Sequence, residues 1–331
     1  MKESKQNDKM RFSFSIQGRF RRFAPQRIVF LLYTIGTLWL QPGNIHSKTM
    51  YFHIDKPLAL RYNYSSENVY VNIGARRGKM ITTLLFDLGG TLHSVIRKED
   101  SMVRYAERLI RRLSDYGIML DTTPERLAVS LHENAEAYKH LSERTLTELP
   151  EAKIWNEHYL REFHIGEERL APIAEELSFQ YDYDRLTMMR KPRLRETIEE
   201  LHRMGIRMGI VSNIISTSLV PHMLNEYGIA QYMECIVMSS ETGIRKPDPR
   251  IFAIALERMG VTAAETGYVG DTISRDVLGA RNAHLGLVGR LNNPSIAHRD
   301  AAFQGADAPQ ADFVIHELYE LPEILRSVNG R

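Results

Sequence analysis

The stretch LLFDLGGTLHS, Leu84–Ser94, decides how the rest of the chain is read. It begins inside TTLLFD, a short apolar run without polar alternation, the pattern of a strand buried on both faces. The run ends in a carboxylate, Asp87, and a Gly-Gly turn, Gly89-Gly90, follows at once. An acid in that place either caps the turn or stands at a sheet edge where ligands bind. The company it keeps downstream decides between the two.

From about residue 98 to 187 the periodicity is helical. SMVRYAERLIRRLSDYG carries apolar residues at Val103, Ala106, Leu109, Ile110 and Leu113, and Gly117 is a stop signal. TTPERLAVSLHENAEAYKHL opens with a threonine cap and Pro124 in its first turn. EAKIWNEHYLREF and ERLAPIAEELSFQY continue the helical pattern. Strands and helices then alternate, with strands expected in RMGIVSN, ECIVMSS, TGYVGD, LGLVGR and ADFVIHEL. Such alternation predicts an α/β fold, a doubly wound parallel sheet with helices on both faces. Residues 80–97 and 188–331 would form this core, and 98–187 an inserted all-helical cap.

A parallel sheet brings the carboxyl ends of its strands to one rim, where ligands bind. The expected rim carries Asp87, then Ser212-Asn213, then Lys246 in ETGIRKPDPRIF, then Asp271 and Asp276 in GDTISRD. Each has an ordinary structural reading as a cap, a turn residue or a helix-dipole partner. Together at one rim, the carboxylates would repel unless a cation joined them, and a hard divalent ion such as Mg²⁺ suits oxygen ligands.

FDLGGTL, IVSN, GIRKPDPRIF and VGDTISRDVLGA together resemble the four signature motifs of the haloacid dehalogenase superfamily, over about residues 80–320. The resemblance implies a Rossmann-like core and phosphoryl transfer through an aspartyl-phosphate. It implies Asp87 as the nucleophile, with Lys246 neutralising charge on it and on the transferring group. It implies Mg²⁺ held by Asp87, the carbonyl of Gly89 and Asp271, with Asp276 in support. Ser212, Asn213 and Thr91 would bind the phosphate. The usual phosphatase pattern has a second aspartate, the general acid, two positions after the nucleophile; here that position is Gly89. Loss of such a group costs about 10²–10⁴-fold in rate. The expected activity is therefore Mg²⁺-dependent hydrolysis of small phosphorylated metabolites, slow or selective. Alternatives are a non-catalytic phospho-ligand-binding or regulatory protein and a 2-haloacid dehalogenase, whose chemistry needs no acid. His93 is a conceivable substitute acid, though it reads first as a surface histidine of the flap. Arg97, Arg144, Lys153 and His158 are polar cap residues, candidate substrate contacts of which most read as solvated helix faces, and Phe86, Trp155 and Tyr159 read as packing residues.

Composition narrows the partners. Residues 1–79 hold 14 Lys/Arg against 4 Asp/Glu, leaving 29 against 37 in residues 80–331. The acidic larger part is not that of a nucleic-acid binder. The single cysteine, Cys235, excludes an internal disulfide framework and reads as a buried thiol, in keeping with a cytoplasmic protein. Ile28–Leu40 is uncharged but short of the roughly 20 residues a membrane-spanning helix needs, so no stable span is expected. Met80 stands directly before the first strand and after ARRGK, the reading of a purine-rich ribosome-binding site. Residues 1–79 are thus expected to be a translated upstream region or, alternatively, a targeting segment for export or anchoring.

Overall fold

The computed structural model describes residues 48–52, 58–65, 68–72, 80–97, 101–303 and 308–330. The apolar run Ile28–Leu40 lies outside the described residues. Among the described residues no helix is long and apolar enough to cross a membrane. Residues 79–325 form one compact unit, and the strands before residue 78 belong to another.

That first unit holds an antiparallel meander of Lys48–Phe52, Leu58–Ser65 and Asn68–Asn72. No regular element was expected in YNYSSENVYVNIG. The period is nonetheless there in the sequence: Tyr62 and Tyr64, then Val69 and Val71, recur at every second position on either side of the polar stretch SSEN.

The strands of the larger unit are β1 (Thr83–Phe86), β2 (His93–Arg97), β3 (Leu186–Arg190), β4 (Arg207–Ser212), β5 (Met233–Met238), β6 (Thr266–Gly270), β7 (Leu287–Leu291) and β8 (Phe313–Ile315). Six of them form one sheet in the order β8-β7-β6-β1-β4-β5, with every neighbouring pair parallel. This is the α/β sheet that the alternation predicts. β1 is central, and all four of its residues are buried. Its partners in register are Ile210 and Val269 opposite Phe86, so β1, β4 and β6 end nearly level. Asp87 follows directly and donates its N–H to the Val269 carbonyl at 3.0 Å. Cys235 is buried on β5.

The main helices are α1 (Ser101–Asp115), α2 (Pro124–Thr145), α3 (Ala174–Tyr183), α4 (Leu194–Arg203), α5 (Leu219–Glu226) and α6 (Pro249–Met259). Ile251, Phe252, Ala255 and Met259 of α6 pack on Leu85, Val211, Val237 and Tyr268 of the sheet. α1 to α3 lie in chain order between β2 and β3, which pair antiparallel as a two-stranded ribbon. The helical periodicity from about 98 to 187 gives no sign of this ribbon. HSVIR and LTMMR are short, and apolar residues are exposed on both faces of the first, Val95 and Ile96, and at Met189 of the second, so neither alternates clearly.

The inserted helices have a core of their own. Tyr105, Leu109 and Leu113 of α1 meet Leu127, Leu131 and Tyr138 of α2, Trp155, Tyr159, and Leu177 and Tyr181 of α3. Each such side chain contributes about 1.5–3 kcal/mol when fully buried. Trp155 is fully buried and donates Nε1–H to Ser178 Oγ at 2.9 Å, as a buried indole requires. Thr123 caps α2 by accepting from the Arg126 N–H, and Pro124 follows it. EAKIWNEHYLREF is less regular than expected: a single α-turn at Glu151–Lys153 widens to a π-helical turn, Ile154–Tyr159, and closes in a 3₁₀ turn, Arg161–Phe163. Arg144 is exposed, Lys153 pairs with Glu157 at 3.8 Å, and the His158 ring lies against Tyr138. The Arg97 side chain lies outside the described residues.

Candidate active site

Four strand ends meet at the rim. Lys246 Nζ lies 2.6 Å from Asp87 Oδ1 and 2.8 Å from Asp276 Oδ1, and donates to Tyr268 Oη at 2.7 Å. Tyr268 Oη in turn donates to Asp276 Oδ1 at 2.8 Å. Asp276 Oδ2 accepts from the Thr272 N–H at 2.9 Å and from Thr272 Oγ1. Both Asp276 oxygens are thus engaged by protein donors. Asp271 differs: Oδ2 accepts from Asn293 Nδ2 at 2.8 Å, while Oδ1 is buried without a partner among the described residues. Asp87, Asp271 and Asp276 each offer an oxygen within 4.8 Å of the others.

Two glycines let this cluster close. Gly90 has φ +90°, and a Cβ there would collide with Asp271 Oδ2. Gly270, at the end of β6, lies so close to Asp276 that a Cβ would meet the carboxylate carbon. Gly89 is of another kind. It is exposed, its φ is ordinary, and a Cβ would meet only His93 Nε2, at 3.9 Å. His93 itself is not a surface residue. It is 2% exposed at the start of β2, with Nδ1 3.0 Å from Tyr227 Oη. Burial, then the nearby Lys191, lowers its pKa to about 4. The expected surface position is corrected by the ribbon, at whose start His93 is buried.

The remaining expected residues divide. Thr91 is fully buried, and its Oγ1 has no partner among the described residues. Ser212 is buried at the end of β4. Asn213 has both ends of its side-chain amide on one backbone unit: Nδ2 donates to the Lys246 carbonyl at 3.0 Å, and Oδ1 accepts the Lys246 N–H at 2.8 Å. Its side chain thus holds the backbone of the lysine. Tyr268, Thr272, Asn293 and Asp300 were not anticipated. Asp300 accepts from the Ile273 and Ser274 N–H groups at 2.8 and 3.0 Å and so fixes the turn that carries Asp276. Nothing in a lone Asn or Asp far along the chain marks it for such a contact. Tyr268 had a weak signal, a phenol within an otherwise apolar strand.

Burial and crowding set the charges. Burial raises the Asp87 pKa, Lys246 opposes the rise and Asp276 adds to it. Burial, then Asp276 and Asp87, pushes Asp271 up to about 7. Burial also pushes Asp276 upward, but Lys246 and Arg275 beside it, with the hydrogen bonds from Lys246 and Thr272, hold it below the usual carboxylate range. The result is a carboxylate locked ionised against a lysine, beside a second, Asp271, whose Oδ1 has no partner among the described residues.

Comparison with known proteins identifies the family. The family described as haloacid dehalogenase-like hydrolase matches residues 81–284. The chain is 26% identical to the glyceraldehyde 3-phosphate phosphatase of Methanopyrus kandleri, over 75% of this chain and 99% of that one. It is 33% identical to the phosphoglycolate phosphatase of Vibrio parahaemolyticus, over 40% of this chain and 55% of that one. A solved haloacid dehalogenase-type phosphatase from Thermococcus onnurineus is 24% identical, covering 74% of this chain and 97% of that one, with a TM-score of 0.45. The chain belongs to the haloacid dehalogenase-like hydrolases, and its curated relatives group it with the phosphatases of that family.

Proposed function

We propose that the protein is a Mg²⁺-dependent phosphatase of small phosphorylated metabolites that works through an aspartyl-phosphate and without the usual second acid. The observation that carries the reading is the buried group of Asp87, Lys246, Asp276 and Asp271 at the ends of β1, β6 and the loop after β5, with Asp271 Oδ1 unpartnered among the described residues. The names of its relatives, phosphatases of glyceraldehyde 3-phosphate and of phosphoglycolate, support the substrate class.

The donor set fits Mg²⁺: hard oxygens, one of them buried and orphaned. Asp87, Asp271 and the Gly89 carbonyl would hold the ion, which when bound offsets the repulsion between carboxylate and phosphate. Asp276 supports them from behind as the anchor of Lys246. An Asp87 oxygen attacks phosphorus, and the bond from phosphorus to the leaving oxygen breaks. Lys246 balances the charge gathering on Asp87 and on the transferred group. Ser212 and Thr91 Oγ1 supply hydroxyls to the phosphoryl oxygens. Water then attacks the acyl phosphate, which releases phosphate and restores Asp87.

The leaving oxygen departs without a neighbouring acid. His93 Nε2 is the atom nearest the empty side-chain position of Gly89, and an imidazole of pKa about 4 is neutral at pH 7. Substrates that expel a weakly basic oxygen are therefore favoured. In this reading the helices between β2 and β3 act as the cap that covers the rim and selects the substrate. The test is hydrolysis of an activated aryl phosphate, with and without Mg²⁺, beside Asp87→Asn. Metal-dependent turnover absent from Asp87→Asn supports the reading. No turnover from folded protein supports a ligand-binding protein instead.

A further inference from the structure

α2 ends in a residue that breaks its backbone pattern. Leu146 has φ 55°, the left-handed region that non-glycine residues rarely adopt. The turn sends residues 146–148 antiparallel along residues 243–245, the loop that leads into Lys246. The Arg245 N–H donates to the Leu146 carbonyl at 3.1 Å, the Glu148 N–H to the Gly243 carbonyl at 3.0 Å, and Thr147 bridges Ile244. A segment of the inserted helices thus adds a short strand to a core loop, one residue short of the lysine.

The Glu148 side chain completes the join. It is 0% exposed, and it pairs with Arg245, the residue before Lys246. It accepts from Tyr138 Oη of α2 at 2.6 Å and from Ser239 Oγ at 2.7 Å. Ser239 Oγ also accepts the Ile214 N–H at 2.9 Å. Ile214 follows Asn213, which holds the Lys246 backbone from the other side. One carboxylate therefore leads to the lysine by two paths, through Arg245 directly and through Ser239 and Ile214 to Asn213. Removing one partner of a buried ion pair is strongly destabilising, so the Glu148 carboxylate ties the inserted segment firmly to Arg245.

We propose that Glu148 is a positioning residue: it transmits docking of the inserted helices to the placement of Lys246. The inference rests on the reading of Lys246 as part of the catalytic centre. A simple fastening of one helical layer to the other would look similar, and a second contact separates the two. Glu175 of α3 also reaches the core, accepting from Ser216 Oγ, the Thr217 N–H and the Ser218 N–H at 2.8, 2.9 and 3.0 Å. It touches neither Arg245 nor the Lys246 backbone. It fastens without positioning.

The experiment compares the full chain with Glu148→Gln and Glu175→Gln. It measures kcat and KM on an activated aryl phosphate with Mg²⁺, thermal unfolding, and hydrogen exchange of the peptide 243–248. Glu148→Gln is expected to lower kcat roughly 10- to 100-fold with little change in KM. The Arg245 and Lys246 amides should exchange faster in that variant. Glu175→Gln should leave kcat and those amides unchanged. Equal loss in both variants, or an unchanged kcat and exchange in Glu148→Gln, overturns the proposal. If Glu148→Gln does not fold, Ser239→Ala cuts the path to Ile214 without stranding a charge. It should give a smaller drop in kcat and faster exchange, and no change in either would overturn the proposal. A wild-type protein without turnover sinks the phosphatase reading alone, because the exchange measurement still decides whether Glu148 holds the lysine loop.

Discussion

Gly89 and Gly90 are adjacent, identical in sequence and opposite in physical role. Gly90 sits at φ +90° against Asp271, where no side chain fits. Gly90→Ala is expected to displace Asp271, remove the Mg²⁺ requirement together with more than about 10²-fold of the activity, and lower Tm; Mg²⁺ titration followed by activity measures this. Gly89 has space and an ordinary backbone. Gly89→Asp should therefore fold normally and restore an acid next to Asp87. Turnover of alkyl phosphates should rise by about 10²–10⁴-fold, with little change on an activated aryl phosphate. A leaving-group series on the two proteins reads this directly, and parallel lines would sink the idea. The chain shows two glycines in a row, but only the neighbours that folding brings in, Asp271 and His93, tell them apart.

At the scale of elements, the site is a set of loops held by few contacts. Asn213 at the end of β4 clasps the backbone of Lys246 from the loop after β5. Asn213→Ala leaves a backbone donor and acceptor unpaired, which costs about 1–3 kcal/mol. Its expected signature is a lower Tm by thermal unfolding and a lower kcat, with Mg²⁺ affinity retained. The elements that chain-local pattern encodes were legible: the apolar run of β1, the Thr123-Pro124 start of α2, and the Asp271 to Asp276 spacing that both residues of the turn obey. Partners that come from far along the chain were not. Asn293, Asp300 and the Glu148 to Arg245 join depend on which loops the sheet order places side by side, and the local sequence around them carries no mark of it. The β2 and β3 ribbon was missed for a related reason, since each strand is specified by its partner about 90 residues away rather than by its own period.

For the whole molecule, the crowded carboxylates make stability depend on pH and metal. Burial, then Asp276 and Asp87, raises Asp271 to about 7, above the value near 4 of an unfolded aspartate. Between about pH 4 and 7 the folded protein keeps a proton that the unfolded chain has released, so this group's contribution falls as pH rises through that window. The metal-free protein is expected to lose Tm between pH 5 and 8. Mg²⁺ should raise Tm more at pH 8 than at pH 5, and Asp271→Asn should flatten both responses in a thermal-shift series. The parallel sheet was legible from strand-helix alternation, because that pattern spans the chain and local errors average out. The meander before residue 78 shows the converse, a weak local period overlooked beside a strong global one. The claim on which all of this stands is covalent transfer of phosphate to Asp87. The direct test is acid quench during turnover of an aryl phosphate labelled in its phosphoryl group, followed by peptide mapping. The account predicts Mg²⁺-dependent label on the peptide that contains Asp87, absent from Asp87→Asn; turnover with no label on that peptide would contradict it.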